Sequence, residues 1–159
     1  MSALPHSSLG LLLLGLLLLG ASCAAPDAHP PHDWRAEPHH LSLLGAGTFE
    51  SEESASTLGV DYEVRVSQLL GLGGVVEQAF GEIDATTVLA VADVHLTDHW
   101  IVQLGPGVEL REPEDEAVFR LGVMYEFVRE GWTLSPQLHY DVTSGENALV
   151  GALALGFGF

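Results

Sequence analysis

The segment from Trp132 to Phe159 constrains the fold more than any other part of this 159-residue chain. Every second residue between Trp132 and Tyr140 is apolar or aromatic, and the residues between them are polar. The run from Leu153 to Phe159 keeps this period, with Leu and Phe alternating with Ala and Gly. A period of two residues is that of a β-strand whose two faces meet different surroundings. The segment therefore predicts a β-hairpin at the end of the chain.

Similar strand-like runs recur from Leu41 onward, and no convincing amphipathic helix interrupts them. We place strands near residues 40–49, 56–66, 69–80, 84–96, 99–111, 117–129, 132–142 and 147–159. The second, fifth and sixth runs alternate clearly, whereas the first, third and fourth alternate less cleanly and constrain the register less. The pattern predicts an all-β domain over residues 40–159, built from eight antiparallel strands.

The two faces of these strands distinguish a soluble barrel from a membrane barrel. In the sixth strand Phe119 and Leu121 lie on one face, and Arg120 and Gly122 lie on the other. A soluble barrel packs its apolar set inward and turns its charged set toward water. Here the polar set is short and rich in glycine, which suits a narrow lumen, while the bulky set suits lipid. The sequence thus predicts an eight-stranded antiparallel up-and-down transmembrane β-barrel.

The connections between strands give a second argument. The acidic ones after strands one, three, five and seven are predicted to be longer, at residues 50–56, 81–83, 112–116 and 143–146. Those after strands two, four and six are predicted to be tight, at residues 67–68, 97–98 and 130–131. Outer-membrane barrels alternate long external loops with short periplasmic turns, so we assign the acidic group to the exterior. Two aromatic belts follow, with Trp100, Phe127, Trp132, Phe157 and Phe159 at the periplasmic rim and Phe49, Phe80, Phe119 and Tyr140 at the outer rim.

Three features of residues 40–159 are the alternation, the loop asymmetry and the ending Leu153-Ala154-Leu155-Gly156-Phe157-Gly158-Phe159. In these features the segment resembles small bacterial outer-membrane barrels of the outer-membrane protein A and X type. The resemblance implies a place in the bacterial outer membrane, contact with its lipid and lipopolysaccharide, and recognition of the Phe159 strand by the barrel assembly machinery. It implies a structural or surface-interaction role without a specific activity, because that family contains adhesins, structural barrels and a few lipid-modifying enzymes. A soluble periplasmic lipid-binding barrel and an outer-membrane lipid-modifying enzyme are the alternatives.

The start of the chain predicts export. Residues 9–21 are almost wholly Leu and Gly, a run too short for a membrane-spanning helix and suited to a signal-peptide core. We predict that residues 1–23 are a signal peptide and that the Pro- and His-rich residues 24–39 form a flexible linker. Cys23 lies among small residues that resemble a lipobox, which makes it a candidate for lipidation, although Gly20 stands where Leu is expected. Ordinary cleavage after Ala24 is the alternative.

The charge of the chain limits its partners. It has 22 acidic residues against five basic ones, and its formal net charge of −17 argues against nucleic acid and favours cations. A single cysteine excludes an internal disulfide and a Cys-rich metal site, and nothing predicts a cofactor. The weak candidates for a metal site are Glu112, Glu114, Asp115 and Glu116, whose oxygen atoms suit Ca²⁺ or Mg²⁺.

The predicted lumen collects charges of both signs. They belong to Asp61, Glu63, Arg65, Glu77, Asp93, His95, Glu109, Arg111, Arg120, Glu126, His139 and Asp141. Buried charges must be paired or hydrated, so we predict a salt-bridge network that plugs the lumen, with a proton or cation path as the alternative.

Strand seven also carries the residue types of a hydrolase. Ser135, His139 and Asp141 share one of its faces. Residues four apart on one strand lie about 13 Å apart, so Ser135 cannot bond to His139 directly. We therefore expect no catalytic residues and no enzymatic activity, with a hydrolase site completed by a Ser or Glu from a neighbouring strand as the alternative.

Overall fold

Antiparallel strands wrap into one closed sheet in the computed structural model, which describes residues 37–159. The strands are β1 His39–Glu50, β2 Glu53–Arg65, β3 Leu70–Gly81, β4 Ala85–His95, β5 Trp100–Arg111, β6 Glu116–Tyr125, β7 Phe127–Arg129, β8 Trp132–Thr143 and β9 Ala148–Gly158. The first strand, β1, pairs with both β2 and β9, and β6 pairs with both β5 and β8. These pairings join the two ends of the sheet, so the barrel has no open edge.

The short strand β7 continues β6 and belongs to the same strand of the barrel. Both pair with β8 in one register, on either side of a break at Glu126. That register places Tyr125 opposite Pro136, and proline has no N–H to donate to the ladder. A similar gap lies beside Pro106 in the ladder between β4 and β5. The barrel therefore has eight strands, and the predicted fold class is confirmed.

Burial alternates from residue to residue along the long strands. In β6, Phe119 and Leu121 are 47% and 54% exposed, whereas Arg120 between them is 1% exposed. The lumen also holds a small apolar cluster of Leu44, Val75, Leu89, Val91, Val118 and Ala154. The structure thus confirms that the bulky apolar set faces outward and that the polar set faces the lumen. No helix within residues 37–159 is long and apolar enough to cross a membrane.

The connection between β1 and β2 corrects a prediction. It is a turn at residues 51–52, and not a loop over residues 50–56. Glu53 already pairs with Glu50, and the ladder continues from there. The first residues of β2 are small or charged, so the inward position of Ala55 carries little apolar signal in the sequence. The alternation of bulky residues therefore indicates a start near residue 56, whereas β2 begins at Glu53.

The predicted difference in loop length is also wrong. Every connection in the described barrel has two to four residues, at both ends. The ladders extend almost to each reversal of the chain, so tight turns suffice everywhere. What distinguishes the ends is charge. We call the end formed by residues 51–52, 82–84, 112–115 and 144–147 the acidic end, and the end that holds His39 and Phe159 the terminal end.

Gly105 and Gly45 allow a matched test of the two faces. A Cβ at Gly105 would collide with the backbone of β4, including the Val91 Cα at 2.8 Å, whereas a Cβ at Gly45 would meet no atom within 4 Å. We expect Gly105→Ala to lower the free energy of unfolding by about 1–3 kcal/mol, because the backbone cannot move aside at little cost. We expect Gly45→Ala to leave it unchanged or raise it by about 0.4–1 kcal/mol. Urea titration of the refolded barrel in detergent micelles measures both, and equal destabilisation by the two variants would contradict the assignment of faces.

Candidate functional site: the charged lumen

The guanidinium of Arg120 is held inside the lumen by two carboxylates. Its Nε and Nη2 donate to Asp141 at 2.7 and 2.6 Å, and its Nη1 and Nη2 donate to Glu77 at 2.6 and 2.7 Å. Asp141 is the cross-strand neighbour of Arg120 on β8, whereas Glu77 reaches it from β3. All three side chains are buried, so these charge-assisted bonds form in surroundings of low dielectric constant. They tie three barrel strands together across the lumen.

Glycines beside this group provide the space that its side chains occupy. Gly59 lies opposite Glu77 in the ladder between β2 and β3, and a Cβ there would come within 2.7 Å of the Glu77 Cγ. Gly122 lies opposite His139, and a Cβ there would collide with the imidazole ring. The glycine-rich inward face therefore accommodates long polar side chains in a narrow barrel.

A second group contains Asp61, Asp93 and Gln103. The Gln103 Nε2 donates to the Asp61 Oδ2 at 3.2 Å, and Gln103 is the cross-strand neighbour of Asp93. The Asp61 Oδ1, the Asp93 Oδ1 and the Gln103 Oε1 are buried and have no hydrogen-bond partner. This group therefore differs from the Arg120 group, because no basic side chain is bonded to its carboxylates.

A third group lies toward the terminal end of the lumen. The His95 Nε2 lies 2.8 Å from the Glu63 Oε1, and the Arg65 Nε lies 3.7 Å from the same oxygen. The Arg65 Nη2 also donates to the Gln68 carbonyl oxygen at 2.8 Å. Glu126, at the break between β6 and β7, is partly buried. His95 and Arg65 thus come together around Glu63.

The acidic end has its own ion-pair group, around Arg111. Its Nη1 and Nη2 donate to the Glu50 Oε2 at 3.3 and 3.2 Å, and its Nη1 lies 3.2 Å from the Glu109 Oε1. Glu50 was predicted to lie in an external loop, but it ends β1 and is 2% exposed. Glu50 faces inward because it lies two residues after Thr48 on the same strand, and Thr48 also faces the lumen. Gln103 was not predicted as a site residue because its side chain is neutral.

The three residues of the hydrolase alternative, Ser135, His139 and Asp141, are not bonded to one another. The His139 Nε2 is 3.0 Å from the Gln137 Oε1, and the His139 Nδ1 has no partner. Asp141 is bonded to Arg120, and the buried Ser135 Oγ has no partner. The arrangement therefore lacks the contacts through which a triad activates its nucleophile.

The predicted metal loop does not gather its carboxylates. Glu112, Glu114 and Asp115 are exposed, and Glu116 accepts a hydrogen bond of 2.9 Å from the Gly145 N–H. Within residues 37–159, no three His, Cys, Asp or Glu side chains are arranged to hold a metal ion. No arrangement of the described residues supports cation binding by these four loop residues, and it stays a prediction. The signal peptide over residues 1–23, lipidation of Cys23 and nearly all of the linker over residues 24–39 lie outside the described residues.

Aromatic rings cluster on the outer surface at the terminal end. The His39 ring stacks on Tyr62 and Phe159, with centroids 6.1 and 5.5 Å away. Tyr125 makes edge contacts with Trp100 and Phe127, both at 4.9 Å. The other residues assigned to the two belts, Phe49, Phe80, Phe119, Trp132, Tyr140 and Phe157, are all exposed outward. Amphipathic rings at the two ends of an apolar surface are typical of barrels that meet a membrane interface.

No family model matches the sequence, and the search of curated proteins found no match. Among solved structures, the outer membrane protein Ail of Yersinia pestis is 10% identical, with a TM-score of 0.53 over 77% of this chain and 99% of Ail. The N-terminal β-barrel domain of OprF from Pseudomonas aeruginosa is 12% identical, with a TM-score of 0.53 over 76% of this chain and 97% of the domain. A de novo designed transmembrane β-barrel is 13% identical, with a TM-score of 0.52 over 77% of this chain and 98% of the design. The predicted resemblance to small outer-membrane barrels is confirmed at the level of the fold.

Substitutions in the Arg120 group test whether its ion pairs hold the barrel together. We expect Arg120→Met to lower the free energy of unfolding by about 3–5 kcal/mol, because Glu77 and Asp141 would be left buried without a counter-charge. The triple variant Arg120→Met, Glu77→Leu, Asp141→Leu should recover most of that loss, since apolar residues need no partners. Urea titration in micelles measures these differences. Arg129→Met, the same change at an exposed position, is the control and should stay within about 0.5 kcal/mol of the parent. A small effect of Arg120→Met would show that the group does not stabilise the fold.

Proposed function

We propose that this chain is an integral β-barrel of the bacterial outer membrane, with a lumen filled by its own side chains and a structural or surface-interaction role. The observation that carries the proposal is the inversion of the two faces. Large apolar side chains such as Leu121 and Leu153, 54% and 53% exposed, cover the outside, whereas Arg120 and Glu77 are buried inside. An apolar surface that encircles a barrel is far larger than the patches that soluble monomers expose. Lipid is the medium that suits it.

A soluble periplasmic lipid-binding barrel is the competing function. Such a protein needs an apolar cavity to hold an acyl chain and a polar exterior to stay in solution. In this barrel the Arg120 group and the Asp61 group occupy the interior, and burying an acyl chain against them would leave charges unpaired. The distribution of side chains therefore supports the membrane function over the soluble one.

We further propose that the role is not enzymatic. The support is local, because His139 is bonded to Gln137 and Asp141 is bonded to Arg120, which leaves Ser135 without a base. An outer-membrane lipid-modifying activity would need a nucleophile and a base in contact at the surface that faces the substrate.

The proposed partners follow from location and charge. The outer surface would contact membrane lipid and lipopolysaccharide, and the strand that ends at Phe159 would be recognised by the barrel assembly machinery. Ail was solved both in a phospholipid nanodisc and with a heparin analogue. At the acidic end of the described barrel, Arg111 is already paired with Glu50 and Glu109. Direct contact of that end with anionic groups would therefore be repulsive.

Fractionation of a bacterium that expresses the full chain tests the proposed location. We expect the protein to stay in the membrane pellet after carbonate extraction and to migrate faster on gels when it is not heated, because a closed barrel resists detergent unfolding. A soluble monomeric pool in the periplasm, with gel mobility that does not change on heating, would overturn the proposal.

A matched pair of arginine substitutions tests whether the outer surface faces lipid. Leu121 lies in the middle of its barrel strand, whereas Leu110 is next to the last residue of β5 at the acidic end. In phospholipid vesicles we expect Leu121→Arg to lower the free energy of unfolding by about 2–4 kcal/mol and Leu110→Arg to lower it by about 0–1 kcal/mol, because the cost of a charge depends on its depth in the bilayer. Urea titration of the two variants measures this difference. Equal effects at both positions would contradict insertion of this surface in the membrane.

A further inference from the structure

Within residues 37–159, the Asp61 group brings together two acids, Asp93 buried and Asp61 half-buried, without a basic residue bonded to them. Gln103 crosses from β5 to donate a hydrogen bond of 3.2 Å to Asp61 on β2, and it lies beside Asp93 on β4. Gln103 and Asp93 are 1% and 2% exposed. Gln103 thus bonds one of the two acids and is the direct cross-strand neighbour of the other, inside the lumen.

Three oxygen atoms of this group have no hydrogen-bond partner. They are the Asp61 Oδ1, the Asp93 Oδ1 and the Gln103 Oε1. Because the two polar atoms of a carboxamide share one carbon, the Gln103 Oε1 is held close to the Nε2 that bonds Asp61. When both carboxyl groups are ionised, all three atoms are acceptors, so none can satisfy another. A cation or a hydrogen-bond donor from outside these three side chains is needed to satisfy them.

The arginines of the lumen and His95 are engaged elsewhere. Arg120 gives its four hydrogen bonds to Glu77 and Asp141, and Arg111 is bonded to Glu50. Arg65 and His95 both approach Glu63. The described lumen holds more acids than arginines. Its arginines are Arg65, Arg111 and Arg120, and its acids are Glu50, Asp61, Glu63, Glu77, Asp93, Glu109, Glu126 and Asp141. Within residues 37–159, no arginine is therefore hydrogen-bonded to Asp61 or Asp93.

We propose that Asp61, Asp93 and Gln103 form a binding site inside the lumen for a divalent cation of the Ca²⁺ class. Two carboxylates match the charge of such an ion, and the carboxamide oxygen supplies a third, neutral ligand. Hard oxygen ligands without imidazole or thiolate favour Ca²⁺ or Mg²⁺ over softer metals. Ca²⁺ suits this irregular set better, because Mg²⁺ demands near-ideal octahedral geometry. The site is separate from the acidic loop over residues 112–115 and does not depend on where the barrel resides.

Refolding in the presence of the metal is the direct test, because the site is buried. The full chain is refolded into detergent micelles with Ca²⁺ or with a chelator, and bound Ca²⁺ is counted by equilibrium dialysis. We expect one ion per barrel, and a higher midpoint of thermal unfolding with Ca²⁺ than with chelator, since a ligand that binds only the folded state stabilises it. The double variant Asp61→Asn, Asp93→Asn should bind Ca²⁺ at least about tenfold more weakly and lose the shift in midpoint.

Three comparisons make the result specific to this site. Gln103→Leu keeps both charges and should also weaken Ca²⁺ binding, which decides the question if the double variant does not fold. The loop variant Glu112→Gln, Glu114→Gln, Asp115→Asn should bind as the parent does. NaCl at the same ionic strength should not reproduce the shift in midpoint.

Several results would overturn the proposal. They are no Ca²⁺ binding by the parent in the millimolar range, unchanged binding by the Asp61 and Asp93 double variant or by Gln103→Leu, or loss of binding in the loop variant. An equal shift with NaCl would assign the effect to ionic screening. Stabilisation by lower pH without any response to Ca²⁺ would assign the site to protons.

Discussion

Closure of the sheet through the pairing of β1 with β9 is the constraint on which the rest of this structure depends. The backbones of His39 and Phe159 exchange hydrogen bonds of 3.1 and 2.9 Å, so the pairing reaches the last residue of the chain. Once the sheet is closed, the backbone N–H and C=O groups of the strands are satisfied without water. The side chains alone then determine what can surround the barrel. This is why an outer face of Leu, Val and Phe is compatible with a stable fold.

The narrow lumen that closure creates explains the residues found inside it. An eight-stranded wall encloses only enough space for side chains, so each long residue needs a small neighbour, as Gly122 is for His139. Charges in that space must find partners, because an unpaired buried ion costs several kcal/mol. Arg120 meets this requirement for Glu77 and Asp141. Asp61 and Asp93 have no hydrogen-bonded basic partner among residues 37–159, so a cation would contribute most there.

Much of this architecture could be predicted from local pattern. The inward position of Arg120 and the outward positions of Phe119 and Leu121 follow from a period of two, and the structure agrees. The start of β2 could not be predicted, because small residues near Ala55 alternate without a difference in hydrophobicity. Glu50 was missed for a related reason, since an acid beside a turn has the same composition as an acid in a loop. Gln103 was missed because its role arises from its neighbours and not from its own charge.

The sequence by itself determined which face of the barrel each side chain occupies, because alternation along a strand is a local property of the backbone. Only the tertiary structure decided which charges meet. Arg120 and Glu77 lie 43 residues apart, and Gln103 and Asp61 lie 42 residues apart, on strands that are not neighbours in the sheet. Their contacts cross the lumen and depend on the number of strands and the stagger at which the sheet closes. Those two quantities are set by all the pairings together, so no single stretch of sequence contains them.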